Sequence, residues 1–238
     1  MYKEGVSMEG KVIRIAQLSD LHITKDRNLL HPLVNQLNKD NLDLVVITGD
    51  LVQEPTKELF DIAVADLNKI VHRVAVIPGE YDSSTLWTEY FGEPYKRFSL
   101  DRYIIDLVDS SFMGHKFLCG WGDHIEAESP TQAKWLLDSL QKDDCYHIIY
   151  SHHPLILNSN ESALKFTVDN VRAAFSGHLH EASRFYFKYD KPKGEFPSGY
   201  ICTPIDFHGL VGYNIVEIKE DDSIATAARE FGRKRTAW

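Results

Sequence analysis

The chain has 238 residues, 43% hydrophobic and 26% charged, with a formal net charge of −9. That length suffices for one sizeable core without a division into domains, and an acidic balance of this size disfavours non-specific binding of nucleic acid or an anionic membrane, because the long-range field has the wrong sign. No apolar run approaches the roughly 20 residues of a membrane span, and three widely spaced cysteines, Cys119, Cys145 and Cys202, without a CxxC pair read as reduced thiols.

The polar segment Met1–Lys11 lacks the apolar stretch of a secretory signal, which leaves a cytoplasmic location as the default. Val12–Leu18 then reads as a strand and Leu29–Lys39 as a helix. Leu42–Thr48 is a continuous apolar run that suits a parallel strand buried on both faces. Lys57–Val71 places Phe60, Val64, Leu67 and Val71 on one helical face, and Val74–Ile77 is a third strand closed by Pro78-Gly79. Strand, helix, strand, helix, strand implies an α/β fold with a parallel sheet.

Arg102–Val108 and Lys116–Cys119 read as further strands. Ser129-Pro130-Thr131-Gln132 is a helix start, with Ser at the N-cap, Pro in the first turn and Gln at the third position. Trp135, Leu136 and Leu140 give that helix its apolar face. Tyr146–Ser151 and Val171–Ser176 are buried strands, followed by Arg184–Tyr189, Gly199–Thr203 and Tyr213–Ile218. No repeat or linker interrupts the chain, so residues 1–238 are expected to form one domain, with a core over about 12–218 and a solvated basic tail over about 229–238.

Residues that bind metals recur at the strand ends. Asp20 and His22 follow the first strand, Asp50 the second, and Glu80 and Asp82 the third. His152 and His153 follow Tyr146–Ser151, and His178 and His180 follow Val171–Ser176. In open α/β sheets, sites form beyond the carboxyl ends of the parallel strands, so five strand ends could deliver ligands to one rim. The Asp-x-His spacing alone is weak, since Asp206-Phe207-His208 repeats it outside the ordered set. His31, His72, His115, His124 and His147 read as ordinary surface or core residues.

The series Asp20-Leu-His22, Gly49-Asp50, Gly79-Glu80-Tyr81-Asp82, His152-His-Pro154 and Gly177-His178-Leu-His180 resembles the calcineurin-like metallophosphoesterase signature. Within that superfamily it is most similar to class III cyclic-nucleotide phosphodiesterases, which also carry a Gln…Trp-Leu segment like Gln132 and Trp135-Leu136. The resemblance implies a β-sandwich of mixed sheets flanked by helices. It implies two divalent ions, one held by Asp20, His22 and His180, the other by His152, His178 and Glu80, with Asp50 bridging them through one oxygen each. Imidazole and carboxylate together suit Mn, Fe, Zn or Co. The implied chemistry is attack on a phosphate ester by a hydroxide shared between the ions, and the implied partner is a small phosphate ester such as a cyclic nucleotide.

Two positions depart from the family pattern. Glu80 stands where the family has Asn; it still offers an oxygen but makes the site roughly one charge less positive. Tyr81 stands where the family has a His that stabilises the transition state or protonates the leaving group. A phenol, with a pKa near ~10, donates a hydrogen bond but is a slower proton source. His153 and His208 are the candidates to replace that function, so Tyr81, His153 and Asp50 are the expected catalytic residues. A metal-binding chain that holds a phosphorylated ligand without turnover, and a phosphomonoesterase or protein phosphatase, are the alternatives. The β-rich C-terminal part could shape the pocket or a homodimer contact.

Overall fold

The structure is a computed structural model; it describes residues 11–82, 85–111, 132, 135–136, 138–140, 145–153, 171–180, 183–186, 198–201 and 210–233. The expected strand at 116–119, the start of the helix at 129–131, and residues 206–208 lie outside the described residues.

Two mixed sheets face each other. The first contains β1 (Ile13–Leu18), β2 (Leu44–Thr48), β3 (Val74–Ile77), β10 (Leu210–Ile218) and β11 (Ile224–Arg233), in the order β11-β10-β1-β2-β3. β1, β2 and β3 are parallel, as their alternation with helices predicts, while β10 pairs antiparallel with β1 and with β11. The second sheet runs β4-β5-β6-β7-β9-β8, from β4 (Lys96–Leu100), β5 (Tyr103–Val108), β6 (Tyr146–Ser151), β7 (Val171–Ser176), β8 (Ser183–Tyr186) and β9 (Ser198–Ile201). Here β5, β6, β7 and β9 are parallel, and β4 and β8 are antiparallel edges.

Period-two alternation decides what each strand buries. Ile13 and Ile15 of β1, with Leu44 and Val46 of β2, meet Tyr103, Ile105, Ile148, Tyr150 and Phe175 between the sheets. Ala16 and Leu18 of β1, with Val45 and Ile47 of β2, pack outward onto α1 (Leu30–Leu37), α2 (Lys57–Leu67) and α3 (Thr85–Phe91). That two-sided burial is why β2 is apolar at four of its five positions. Leu136 and Leu140 cover the outer face of the second sheet against Val108, Ile149 and Ala174. The result is the mixed-sheet sandwich with flanking helices that the family resemblance implies.

Two differences have local causes. α2 stops at Leu67, short of Val71, because Asn38 takes over the backbone there. Its amide donates to Lys69 O at 2.8 Å, and Val71 N–H donates to its Oδ1 at 3.0 Å instead of continuing the helix. The basic segment expected as a tail from residue 229 is in part strand, since β11 reaches Arg233 along β10. Its residues 226–229 are nonetheless exposed, as an edge strand allows. The β10–β11 turn is tied to the other sheet: Asp222 accepts from Tyr103 Oη at 2.6 Å and from Arg102 Nε at 2.8 Å.

Candidate metal centre

The site lies beyond the carboxyl ends of β1, β2, β3, β6 and β7, where the sandwich opens. At that end Gln17, the inward residue near the end of β1, reaches across to donate to Ser176 O of β7 at 3.0 Å. The two sheets are thus pinned directly beneath the loops that carry the ligands.

The backbone there is held in unusual conformations. Among the described residues seven non-glycine positions have positive φ, and five of them are Asp20, His22, Asp50, His178 and His180. Such strain persists only where surrounding structure enforces it, and it collects at functional sites. Glycine spacing in the motifs has the same origin. Gly49 has φ +94° and packs so closely on the His152 ring that a Cβ would overlap it. A Cβ on Gly79 would collide with the Asp50 carboxylate, placing Asp50 Cγ only 2.8 Å away.

The side chains named from the sequence come together. Asp20, His22 and His180 form one group, Glu80, His152, His153 and His178 a second, and Asp20, Asp50 and His152 a third; within each group the donor atoms lie within 4.8 Å of one another. His22 Nε2 is 3.3 Å from His180 Nε2, and His180 Nε2 is 3.4 Å from Asp20 Oδ1. His152 Nε2 is 2.6 Å from Glu80 Oε2, and His178 Nδ1 is 3.0 Å from Glu80 Oε1. Asp50 stands between the groups through a single atom. Its Oδ2 lies 3.6 Å from His22 Nε2 and 3.5 Å from His152 Nε2, while Oδ1 accepts from Tyr81 N–H at 3.1 Å. Oδ2 is thus the Asp50 oxygen that faces both donor groups, while the Tyr81 peptide takes Oδ1.

Asp20, Asp50 and His152 are buried at the floor, and Glu80, His178 and His180 are partly open at the mouth. Thr48 O accepts from His152 Nδ1 at 2.8 Å, which turns Nε2 into the pocket. His178 N–H donates to both Asp20 oxygens at 3.1 Å. Tyr81 is exposed at the rim, its ring edge-on to His22 at 5.0 Å.

Charge is concentrated here. Burial disfavours ionisation of Glu80, but contacts with His152 and His178 outweigh it and hold the carboxyl well below the usual range. Burial likewise opposes a charge on His152, yet Glu80, Asp50 and Asp20 push it up to about 9. Burial, with Glu80 and Asp82 nearby, pushes Asp50 up to about 7. Burial, with His180 and His152 adding, brings His22 down to about 4. Among the described residues no lysine or arginine pairs with Asp20, Asp50 or Glu80. His152 Nε2 and Glu80 Oε2 are buried and, though close, make no hydrogen bond of normal geometry. Three carboxylates and converging imidazoles without a basic side chain are what divalent cations would compensate.

Asp82 has a structural part that its place in the motif did not reveal. Fully buried, it accepts from Leu51 N at 3.0 Å, Val52 N at 2.9 Å and Gly79 N at 2.9 Å, joining the loops that carry Asp50 and Glu80. Ser110, after β5, was also missed: its Oγ lies 3.0 Å from His153 Nδ1. No sequence signal marks a lone serine after a strand. His147, read as a core residue, is buried against Asp106 Oδ2 at 2.6 Å. His31 pairs with Asp66 at the surface, and His72 with Leu37 O.

The family model for calcineurin-like phosphoesterases matches residues 13–182. The chain belongs to that family. It is 33% identical over 195 residues to a probable cyclic nucleotide phosphodiesterase of Coxiella burnetii, covering 73% of this chain and 78% of that one. It is 25% identical over 211 residues to a probable cyclic nucleotide phosphodiesterase of Fibrobacter succinogenes, covering 76% and 77%. Among solved structures, a dimetal phosphatase from Danio rerio superposes with a TM-score of 0.62 at 14% identity, covering 91% of this chain and 98% of that one, a likeness of fold. Among the described residues, no helix of this member of the calcineurin-like family is long and apolar enough to cross a membrane.

Proposed function

We propose that the chain is a dinuclear metal-dependent phosphodiesterase. The observation that carries this is Asp50 Oδ2 at 3.5–3.6 Å from an imidazole of each donor group, which gives two adjacent sites one common ligand. Asp20, His22 and His180 would hold one ion, Glu80, His152 and His178 the other, and Asp50 both. A pair of divalent ions so held supplies Lewis-acid activation of water and charge neutralisation on a phosphoryl group. The donors suit Mn, Fe, Zn or Co.

The residues themselves orient and shield. Asp20 and His178 N–H lock the first and last motifs together, and Thr48 O fixes the His152 tautomer. Glu80 adds a negative charge where an amide would be neutral, and a monoanionic diester tolerates that better than a dianionic monoester. Tyr81, at the mouth, would offer its hydroxyl to the ester or its leaving group. The named relatives make cyclic nucleotides the first diesters to test.

Exposed Tyr81 in the place of an imidazole favours a second reading, a chain that binds a phosphorylated ligand without cleaving it. One experiment separates the two: turnover of bis(p-nitrophenyl) phosphate and of cyclic nucleotides by the Mn²⁺-loaded protein. Metal-dependent release of product supports the phosphodiesterase; two bound ions with no turnover of any ester supports the second reading.

A further inference from the structure

Adjacent histidines at the end of β6 are set in opposite tautomers. His152 Nδ1 faces a carbonyl, Thr48 O, which can only accept, so Nδ1 carries a hydrogen and Nε2 is the nitrogen left for a cation. His153 Nδ1 faces a hydroxyl, Ser110 Oγ, at 3.0 Å. That hydroxyl already accepts from His153 N–H at 2.9 Å, and among the described residues the one acceptor for its own hydrogen is His153 Nδ1. Ser110 and His153 are both buried, at 4% and 2% exposure, where a hydroxyl hydrogen without an acceptor is costly. Ser110 therefore donates to Nδ1, and Nε2 carries the hydrogen. Tautomers are assigned in this way from the hydrogen-bond network.

His153 Nε2 is at the pocket, 3.5 Å from Glu80 Oε2, and its ring centre is 4.2 Å from that of His178. A nitrogen bearing a hydrogen does not ligate a cation, so within the group Glu80, His152, His153 and His178 it has a different task. Resting on the phosphodiesterase reading, we propose that His153 Nε2–H donates a hydrogen bond to a non-bridging oxygen of the bound phosphate ester. Ser110 is the positioning residue that holds it in that state.

The support beneath it is rigid. Gln132 brackets the Asp109 backbone, accepting from its N–H at 2.8 Å and donating to its carbonyl at 3.0 Å. Asp109 Oδ1 accepts from Ser111 N at 2.9 Å and Ser111 Oγ at 2.7 Å. Ser151 Oγ donates to His153 O at 2.7 Å. Ser110 and the His153 backbone are thus each fixed from two sides, and Gln132 acquires a reason to stand where it does.

The test uses full-length protein loaded with Zn²⁺ and labelled with ¹⁵N-histidine. Long-range ¹H–¹⁵N spectra should show His153 protonated at Nε2 and unprotonated at Nδ1, and Ser110→Ala should mix the tautomers while Ser110→Thr restores them. His153→Ala should keep two ions per chain, weaken binding of inorganic phosphate about 10-fold by calorimetry, and lower kcat on the aryl diester about 100-fold. His153→Gln, whose amide N–H reaches the Nε2 position, should recover part of both. A metal-bound or unprotonated Nε2 in wild type, loss of an ion in His153→Ala, or unchanged phosphate affinity overturns the proposal. Correct tautomer and phosphate binding in a wild type that cleaves no ester would sink the phosphodiesterase reading while upholding the donor.

Discussion

Replacing Asp82 by alanine removes a fully buried side chain that ties the loop after β2 to the loop after β3. Three buried backbone donors, Leu51, Val52 and Gly79 N–H, lose their acceptor. At about 1–3 kcal/mol each, their combined cost is roughly 6 kcal/mol. Part is offset, because burial pushes the Asp82 carboxyl up to about 6. Ionising it in the folded chain therefore costs roughly 2–3 kcal/mol relative to the unfolded chain, a cost fully present above about pH 6 and absent below about pH 4. The net loss at pH 7.5 is about 3–4 kcal/mol, or roughly 6–16 °C in Tm for a chain of this size. Thermal and urea denaturation of the metal-free protein measure it. Because Asp50 and Glu80 ride on the same loops, metal stoichiometry should also fall below two. A variant within about 1 kcal/mol of wild type that still binds two ions would refute Asp82 as the tie.

Other consequences follow from particular contacts. Tyr81→His should raise turnover of a diester with a poor leaving group by about 10²-fold or more and of an aryl diester far less, because a proton donor matters least when the leaving group needs none; equal effects on both substrates would count against a donor role at that position. Glu80→Asn should raise monoester turnover relative to diester turnover, and an unchanged ratio would remove the charge argument. Asp66 is pulled below its ordinary pKa; burial would raise it, but Lys69, His31 and Asn28 outweigh burial. A depressed carboxyl contributes stability that is present above about pH 4 and lost as pH falls below it, so the gap between wild type and Asp66→Asn in urea denaturation should close from pH 6 to pH 3. A constant gap would mean the contacts are not electrostatic.

Most of the site was legible because its chemistry is carried by rare residue types at strand ends. Asp, His and Glu after β1, β2, β3, β6 and β7 are local signals, and the carboxyl ends of parallel strands in two facing sheets bring the five signals to one rim. Ser110 was not legible, since a serine becomes informative only when the fold sets it against His153. Asp82 was visible as a motif letter, but its three backbone partners depend on how two loops meet. In the fold, β2 and α2 were readable from apolar runs and spacing, whereas the end of α2 was decided by Asn38, distant in sequence. The end of β11, from Arg229, reads as a basic tail because an exposed edge strand needs no apolar pattern, only the backbone of β10 beside it.

Asp50 Oδ2, which lies between the two donor groups, would be the ligand common to both ions. Anomalous diffraction from a crystal soaked in Mn²⁺ addresses this directly. Two peaks should appear, one among Asp20, His22 and His180 and one among Glu80, His152 and His178, with Asp50 Oδ2 between them. A single peak, or ions away from these side chains, would contradict the account.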